Sequence, residues 1–136
     1  MPTMIFVNLP VENLERSAAF YNKLGFPTNP QFSDQNATNA VISDTIVLML
    51  PVKPFFRSFI NKEIADSATS TTAIVCISRD SREAVDSLVD NALAAGATPT
   101  KEPMDQGFMY SRSFADLDGH LFEAMWMDPA AVEPTA

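Results

Sequence analysis

One design occurs twice along this chain, and that duplication restricts the fold more than any other feature. The first copy is an apolar run from Met4 to Leu9, an amphipathic helix ending at Gly25, and short strands closing in Ile46 to Pro51. The second is Ala73 to Ser78, an amphipathic helix ending at Gly96, and short strands closing in Leu121 to Trp126. Repeated strand–helix–strand units bury a shared core and leave a concave surface where a ligand would sit.

The local signals agree with this division. Asn13 is placed to cap the first helix, Glu15 sits in its first turn, and Leu14, Ala18, Tyr21 and Leu24 follow helical spacing. Gly25 supplies the positive-φ stop. Phe26 to Phe32 is an extended segment weakened by prolines, and Ala37 to Ile42 with Ile46 to Leu50 forms a hairpin turning at Ser43 and Asp44. In the second copy Asp80 and Glu83 have capping-box spacing, and Val85, Leu88, Val89 and Ala92 make one apolar helical stripe. Thr98 to Glu102 is extended, Met109 to Phe114 is a strand, and Leu117 to Gly119 turns into Leu121 to Met127. Each half therefore reads as β-α-β-β-β. The whole reads as an α+β domain with helices outside curved sheets. Residues 4–51 and 72–127 form the two modules of a single domain over residues 1–128. Residues 52–71 are a linker or lid, and residues 129–136 a frayed tail.

Composition removes several function classes. At 136 residues with 46% hydrophobic and 19% charged residues, the chain is one globular domain. No apolar run approaches the roughly 20 residues of a membrane helix. The N-terminal residues read as a first strand and not as a signal peptide. A net charge of −8 with scattered basic residues argues against nucleic acid and anionic membranes. The single cysteine, Cys76, forms no internal disulfide and fits a reducing cytoplasm. Four glycines leave little room for a phosphate loop, and no nucleophile elbow or zinc-type cysteine spacing is present.

Two motifs stand out, one near the start of the first repeat and one near the end of the second. V-x-N-L-x-x-S-x-x-F-Y-x-x-L-G-F is carried by Val11, Asn13, Leu14, Ser17, Phe20, Tyr21, Leu24, Gly25 and Phe26. F-x-D-x-D-G-H-x-x-E is carried by Phe114, Asp116, Asp118, Gly119, His120 and Glu123. Together they resemble the glyoxalase/bleomycin-resistance/extradiol-dioxygenase family, the vicinal oxygen chelate superfamily, over residues 4 to 128. The resemblance implies two βαβββ modules forming a cupped, barrel-like mixed sheet, a homodimer, and in many members a divalent metal held by histidines and glutamates. Other members bind a small molecule without metal.

Carried onto this chain, the family's four chelating positions fall on Phe6, Leu48, Ile74 (with Thr72 or Cys76 as register alternatives) and Glu123. Only Glu123 is a good donor, and the sole histidine, His120, belongs to the turn. Asn8 offers an amide oxygen on the strand face of Phe6, but Asn8 and Glu123 make a poor metal pair. The expectation is a site without metal or other cofactor.

Glu123 is then a general base or a ligand anchor. Its bland alternative is a family relic bonded to Asn8, Tyr110 or water. Alternation along its strand places Leu121, Glu123, Met125 and Met127 on one face, with Phe122 and Trp126 under the helices. Arg112 can orient an anionic group or make a surface ion pair. Cys76 reads as a small buried hydrophobe, with a reactive thiol as the alternative. Phe55 and Phe59, with Phe56, have the spacing of a short helix serving as lid, dimer contact or satellite cluster. Met49, Met104, Met109 and Met125 read as filler suited to apolar ligands.

The function expected is a cytoplasmic, homodimeric glyoxalase-like protein binding a small organic molecule in an apolar-lined cup. The ligand-binding set comprises Phe6, Asn8, Leu48, Ile74, Phe55, Phe59, Tyr110, Arg112 and Met125. One alternative is a metal-dependent lyase, isomerase or dioxygenase using Glu123. Another is a non-catalytic structural dimer with a filled cup.

Overall fold

The computed structural model describes residues 2–131. The chain divides into two compact units, Met1–Ser67 and Ala68–Ala136, and the division falls inside the 52–71 linker.

The first unit contains β1 (Ile5–Asn8), α1 (Leu14–Lys23), β2 (Ala37–Ser43), β3 (Ile46–Pro51) and α2 (Lys53–Arg57). The sheet order is β1-β3-β2, with β1 parallel and β2 antiparallel to β3. Helix α1 starts where Asn13 accepts a 2.9 Å hydrogen bond from the Arg16 N–H, and it ends before Gly25 at φ +91°. Its buried side carries Ser17, Phe20 and Tyr21, the two rings edge to face at 4.9 Å.

One expected strand is missing from this unit. Residues 26–32 form no strand, only a 3-10 turn at Pro30–Phe32. Pro27 and Pro30 have no N–H to offer a ladder, and a side chain takes the strand's place. The carboxamide of Asn39 accepts from the Asn29 N–H at 2.8 Å. It also donates to the carbonyls of Asn29 at 2.8 Å and Phe32 at 3.3 Å. A single backbone bond, Val41 N–H to the Pro27 carbonyl, completes the attachment.

The second unit contains β4 (Ile74–Ser78), α3 (Arg82–Ala94), β5 (Thr98–Pro99), β6 (Met104–Asp105), β7 (Met109–Ala115) and β8 (Leu121–Met127). Its order is β4-β8-β7-β5, with β6 also on β7; β4 runs parallel to β8, and the other pairs are antiparallel. Helix α3 is capped one residue later than expected: Ser81 is extended and its hydroxyl accepts from the Ala84 N–H at 3.0 Å. Val85, Leu88, Val89 and Ala92 are buried as their spacing requires. Helix α3 packs on β7 and β8, where Phe114 and Phe122 stack at 5.3 Å with planes 4° apart. The turn before β8 is built by Asp116, whose carboxylate accepts from the N–H groups of Asp118 and His120, both at 2.9 Å.

The fold class is therefore α+β, with the duplicated strand–helix–strand plan present in both units. Of the expected frayed tail, Pro129–Ala131 forms a 3-10 turn held by Asp128; residues 132–136 lie outside the described residues. Among the described residues no helix is long and apolar enough to cross a membrane.

Candidate functional site

Equivalent backbone bonds bring the two repeats into register. Leu9 N–H donates to the Met49 carbonyl in the first unit, and Arg79 N–H to the Met125 carbonyl in the second. Met49 thus corresponds to Met125. The pair Phe6–Val47 in turn corresponds to Cys76–Glu123. This corrects one expectation: the counterpart of Glu123 is Val47, not Leu48. Leu48 lies one residue on, in the alternate row with Val7 and Ala40, and is fully buried in the core. The same register resolves the choice on β4. The residue beside Glu123 is Cys76, and Ile74 sits two residues away on the same face, next to Leu121.

Side chains of paired residues share a face, so the face of the second sheet that carries Glu123 can be read across its strands. The central row is Thr100, Ser113, Glu123 and Cys76. Thr98, Ala115, Leu121 and Ile74 flank it on one side, and Met104, Ser111, Met125 and Ser78 on the other. Ser113 Oγ accepts from Thr100 Oγ1 at 2.8 Å and from the Lys101 N–H at 3.2 Å, leaving its own proton to donate. Cys76 is exposed here and not buried, because β4 is an edge strand and the residue alternates with buried Ile77. Partial burial pushes its thiol pKa up, and the charge and hydrogen bonding of the Glu123 carboxylate add to that. The thiol is therefore held as a proton donor. Glu123 is half-buried and has no ion-pair partner among the described residues. The row can accept and donate hydrogen bonds beside aliphatic and thioether surface.

Tyr110 and Arg112 stand on the opposite face, and their placement with Glu123 is corrected. Both are bonded to α3: Tyr110 Oη donates to Asp86 at 2.7 Å, and Arg112 to Asp86 and Asp90 at 2.9 Å each. β7 alternates, so Tyr110, Arg112 and Phe114 face the helix while Ser111 and Ser113 face away. Neither Tyr110 nor Arg112 is available to Glu123. Nearby, Arg82 forks onto Asp105 at 2.8 and 3.0 Å, donates to the Gly107 carbonyl at 2.8 Å, and lies 5.2 and 5.1 Å from the rings of Tyr110 and Trp126. This clamp fastens the β6–β7 turn to the start of α3.

The clamp has a pH signature. Hydrogen bonding from Arg82, and then from the Gly107 N–H, holds the Asp105 carboxyl at about 2. Its folded pKa lies below the unfolded value, so its stabilisation is complete above the ordinary carboxylate range, about 4, and fades as pH falls towards 2. The difference in urea midpoint between the wild type and Asp105→Asn should narrow on acidification through that window. A gap that stays constant would remove the ion pair from the account.

In the first unit, Phe6 and Asn8 are exposed along β1, and Asn8 Nδ2 donates to the Phe6 carbonyl at 3.3 Å. Asn8 shares a row with Met49 and Asn39. Phe55 and Phe59 flank the end of α2, their rings edge to face at 5.0 Å, with Phe59 67% exposed. Met125 lies on the Glu123 face as expected. Sequence reasoning missed Ser113 and Thr100, and named Cys76 only as a register alternative to Ile74. The period-two pattern of each strand was visible, but the register between strands was not.

The family's metal can be tested against the donors. Among the described residues on the face of Glu123, the other side chain of ligand type is Cys76. The matching pair in the first unit is Phe6 and Val47. Among the described residues no three His, Cys, Asp or Glu side chains converge. Glu123 and Cys76 are two donors, fewer than the three or four protein ligands a resident divalent ion takes.

The fold and the register of the Glu123 strand can now be set beside known proteins. The family model of the glyoxalase/bleomycin resistance protein/dioxygenase superfamily matches residues 3–124. The chain belongs to that superfamily. No curated protein matches it at the level required of a relative. Among solved structures, hypothetical protein SA1046 from S. aureus is 29% identical, with a TM-score of 0.77, covering 93% of this chain and 95% of that one. A family enzyme from Burkholderia phytofirmans PsJN is 19% identical, with a TM-score of 0.76 and coverage of 93% and 99%. The fosfomycin resistance protein FosX from Listeria monocytogenes is 20% identical, with a TM-score of 0.65 and 93% coverage of both chains.

Proposed function

We propose that this protein binds a small organic molecule on the Glu123 face of its second sheet without a metal ion. The observation that carries the reading is the row Thr100–Ser113–Glu123–Cys76, a carboxylate with hydroxyl and thiol donors between aliphatic and thioether rows. Apolar surface with a few convergent polar groups is the usual composition of a small-molecule site. Glu123 acts as the hydrogen-bond acceptor that orients the ligand. Leu121, Ile74 and Met125 supply its apolar contact.

We further propose a homodimer, supported by the exposed apolar side chains Ile5 and Phe6 on the edge strand β1. Sedimentation should then give twice the chain mass, and a monomer at micromolar concentration removes this part.

Two measurements test the binding reading. Protein purified without chelators should carry no stoichiometric divalent metal, and its melting temperature should not respond to EDTA. Members of a library of small apolar compounds with one polar group should raise that temperature, since ligands of the native state stabilise it by mass action. A stoichiometric metal that disappears in Glu123→Ala would overturn the metal-free reading. A library without a single stabilising member would overturn binding.

A further inference from the structure

The charge on the Glu123 face is unbalanced, and this selects the ligand. Glu123 brings one carboxylate, and among the described residues it forms no ion pair. Of the second unit's arginines, Arg112 is paired with Asp86 and Asp90 and Arg82 with Asp105, both on the opposite face, and Arg79 donates to the Ser78 carbonyl. The neighbours of Glu123 in its row, Cys76 and Ser113, are neutral, and the flanking rows of Thr98, Ala115, Leu121, Ile74, Met104, Ser111, Met125 and Ser78 carry no charge. The chain as a whole is at −8, which adds a long-range bias towards cations.

We propose that the ligand is an amine-bearing amphiphile, a primary or secondary ammonium group attached to an apolar body. The ammonium donates to the Glu123 carboxylate. The apolar body lies over Leu121 and Ile74 or over Met125. An anionic ligand meets the Glu123 carboxylate among neutral rows, and a neutral alcohol forms the hydrogen bond without the charge.

This inference rests on the binding reading above, and the test separates the two. Phenethylamine, phenethyl alcohol and phenylacetate share one apolar body and differ in charge. Each is titrated into wild-type protein while the melting temperature and the rate of iodoacetamide alkylation of Cys76 are followed. Cys76 is the chain's only cysteine and stands beside Glu123, so it reports occupancy of this face. The amine should raise the melting temperature, slow alkylation, and bind about fivefold more tightly than the alcohol, the scale of one partly exposed ion pair. Phenylacetate should bind most weakly. In Glu123→Gln the preference for amine over alcohol should disappear, and in wild type it should shrink at high salt. Equal or tighter binding of the alcohol or the acid, with protection of Cys76, leaves the binding reading standing and overturns this one. Absence of any shift or protection with all three probes overturns it as well, and the library then decides binding alone. The comparison in wild type does not depend on the variant folding.

Discussion

Replacing Phe122 with alanine should cost about 3–5 kcal/mol of stability, the usual range for a large buried aromatic. The ring is 1% exposed and stacks on Phe114 at 5.3 Å, in the layer that α3 covers. Interiors are packed to crystal-like density, so the space left behind loses contacts that neighbouring side chains cannot regain by small shifts. Ile74 makes the contrast. It is also a large apolar side chain, one strand position away in register, but 54% exposed on the other face, and Ile74→Ala should stay within about 1 kcal/mol. Urea titrations of both variants read the difference. If Phe122→Ala cost no more than Ile74→Ala, the faces of β8 would be assigned the wrong way round.

That assignment was legible in the sequence. Leu121, Glu123, Met125 and Met127 alternate with Phe122 and Trp126, and a period of two leaves only the question of which face meets the helix. The stripe Val85, Leu88, Val89 and Ala92 answered it by supplying an apolar partner. The helix starts and stops at Asn13 and Gly25 were legible for the same reason, since cap chemistry is local. What spans strands was not. Placing Leu48 opposite Phe6 required the register between β1 and β3, and a slip of one residue moves a side chain from one face to the other. Arg112 and Tyr110 were misplaced by a related failure. Their partners Asp86 and Asp90 lie one turn apart on α3, more than 20 residues away, and no pattern within β7 announces them.

Cys76 shows the same limit from the other side. A lone cysteine in a β-rich run is ordinarily buried, and nothing local distinguishes Cys76 from its buried neighbour Ile77. Only the pairing of β4 with β8 sets the thiol beside Glu123. The candidate site is thus made of residues whose identities were visible and whose adjacency was not.

The second large effect belongs to Asn39, and it tests why the first unit lacks a strand. Asn39→Ala should cost about 3 kcal/mol, because it strips an N–H and a carbonyl of Asn29 and a carbonyl of Phe32 of their partner in a place where the side chain was wholly buried. Partial access of water to Asn29 keeps the figure below the sum of three orphaned groups. Asn39→Asp separates hydrogen bonding from packing, since the two side chains have nearly the same shape. At neutral pH the carboxylate still accepts from the Asn29 N–H, but it turns its second oxygen towards two carbonyls and is buried without a cation. The loss should therefore match or exceed that of the alanine variant. Burial raises the pKa of such a carboxyl above the unfolded value, so folding takes up a proton as the medium is acidified. The protonated form can donate where the amide did. The gap between wild type and Asn39→Asp should accordingly narrow as pH falls through the carboxylate range, while that of Asn39→Ala stays level. Parallel pH dependence of the two variants would mean that the amide fills space and does not stand in for the absent strand.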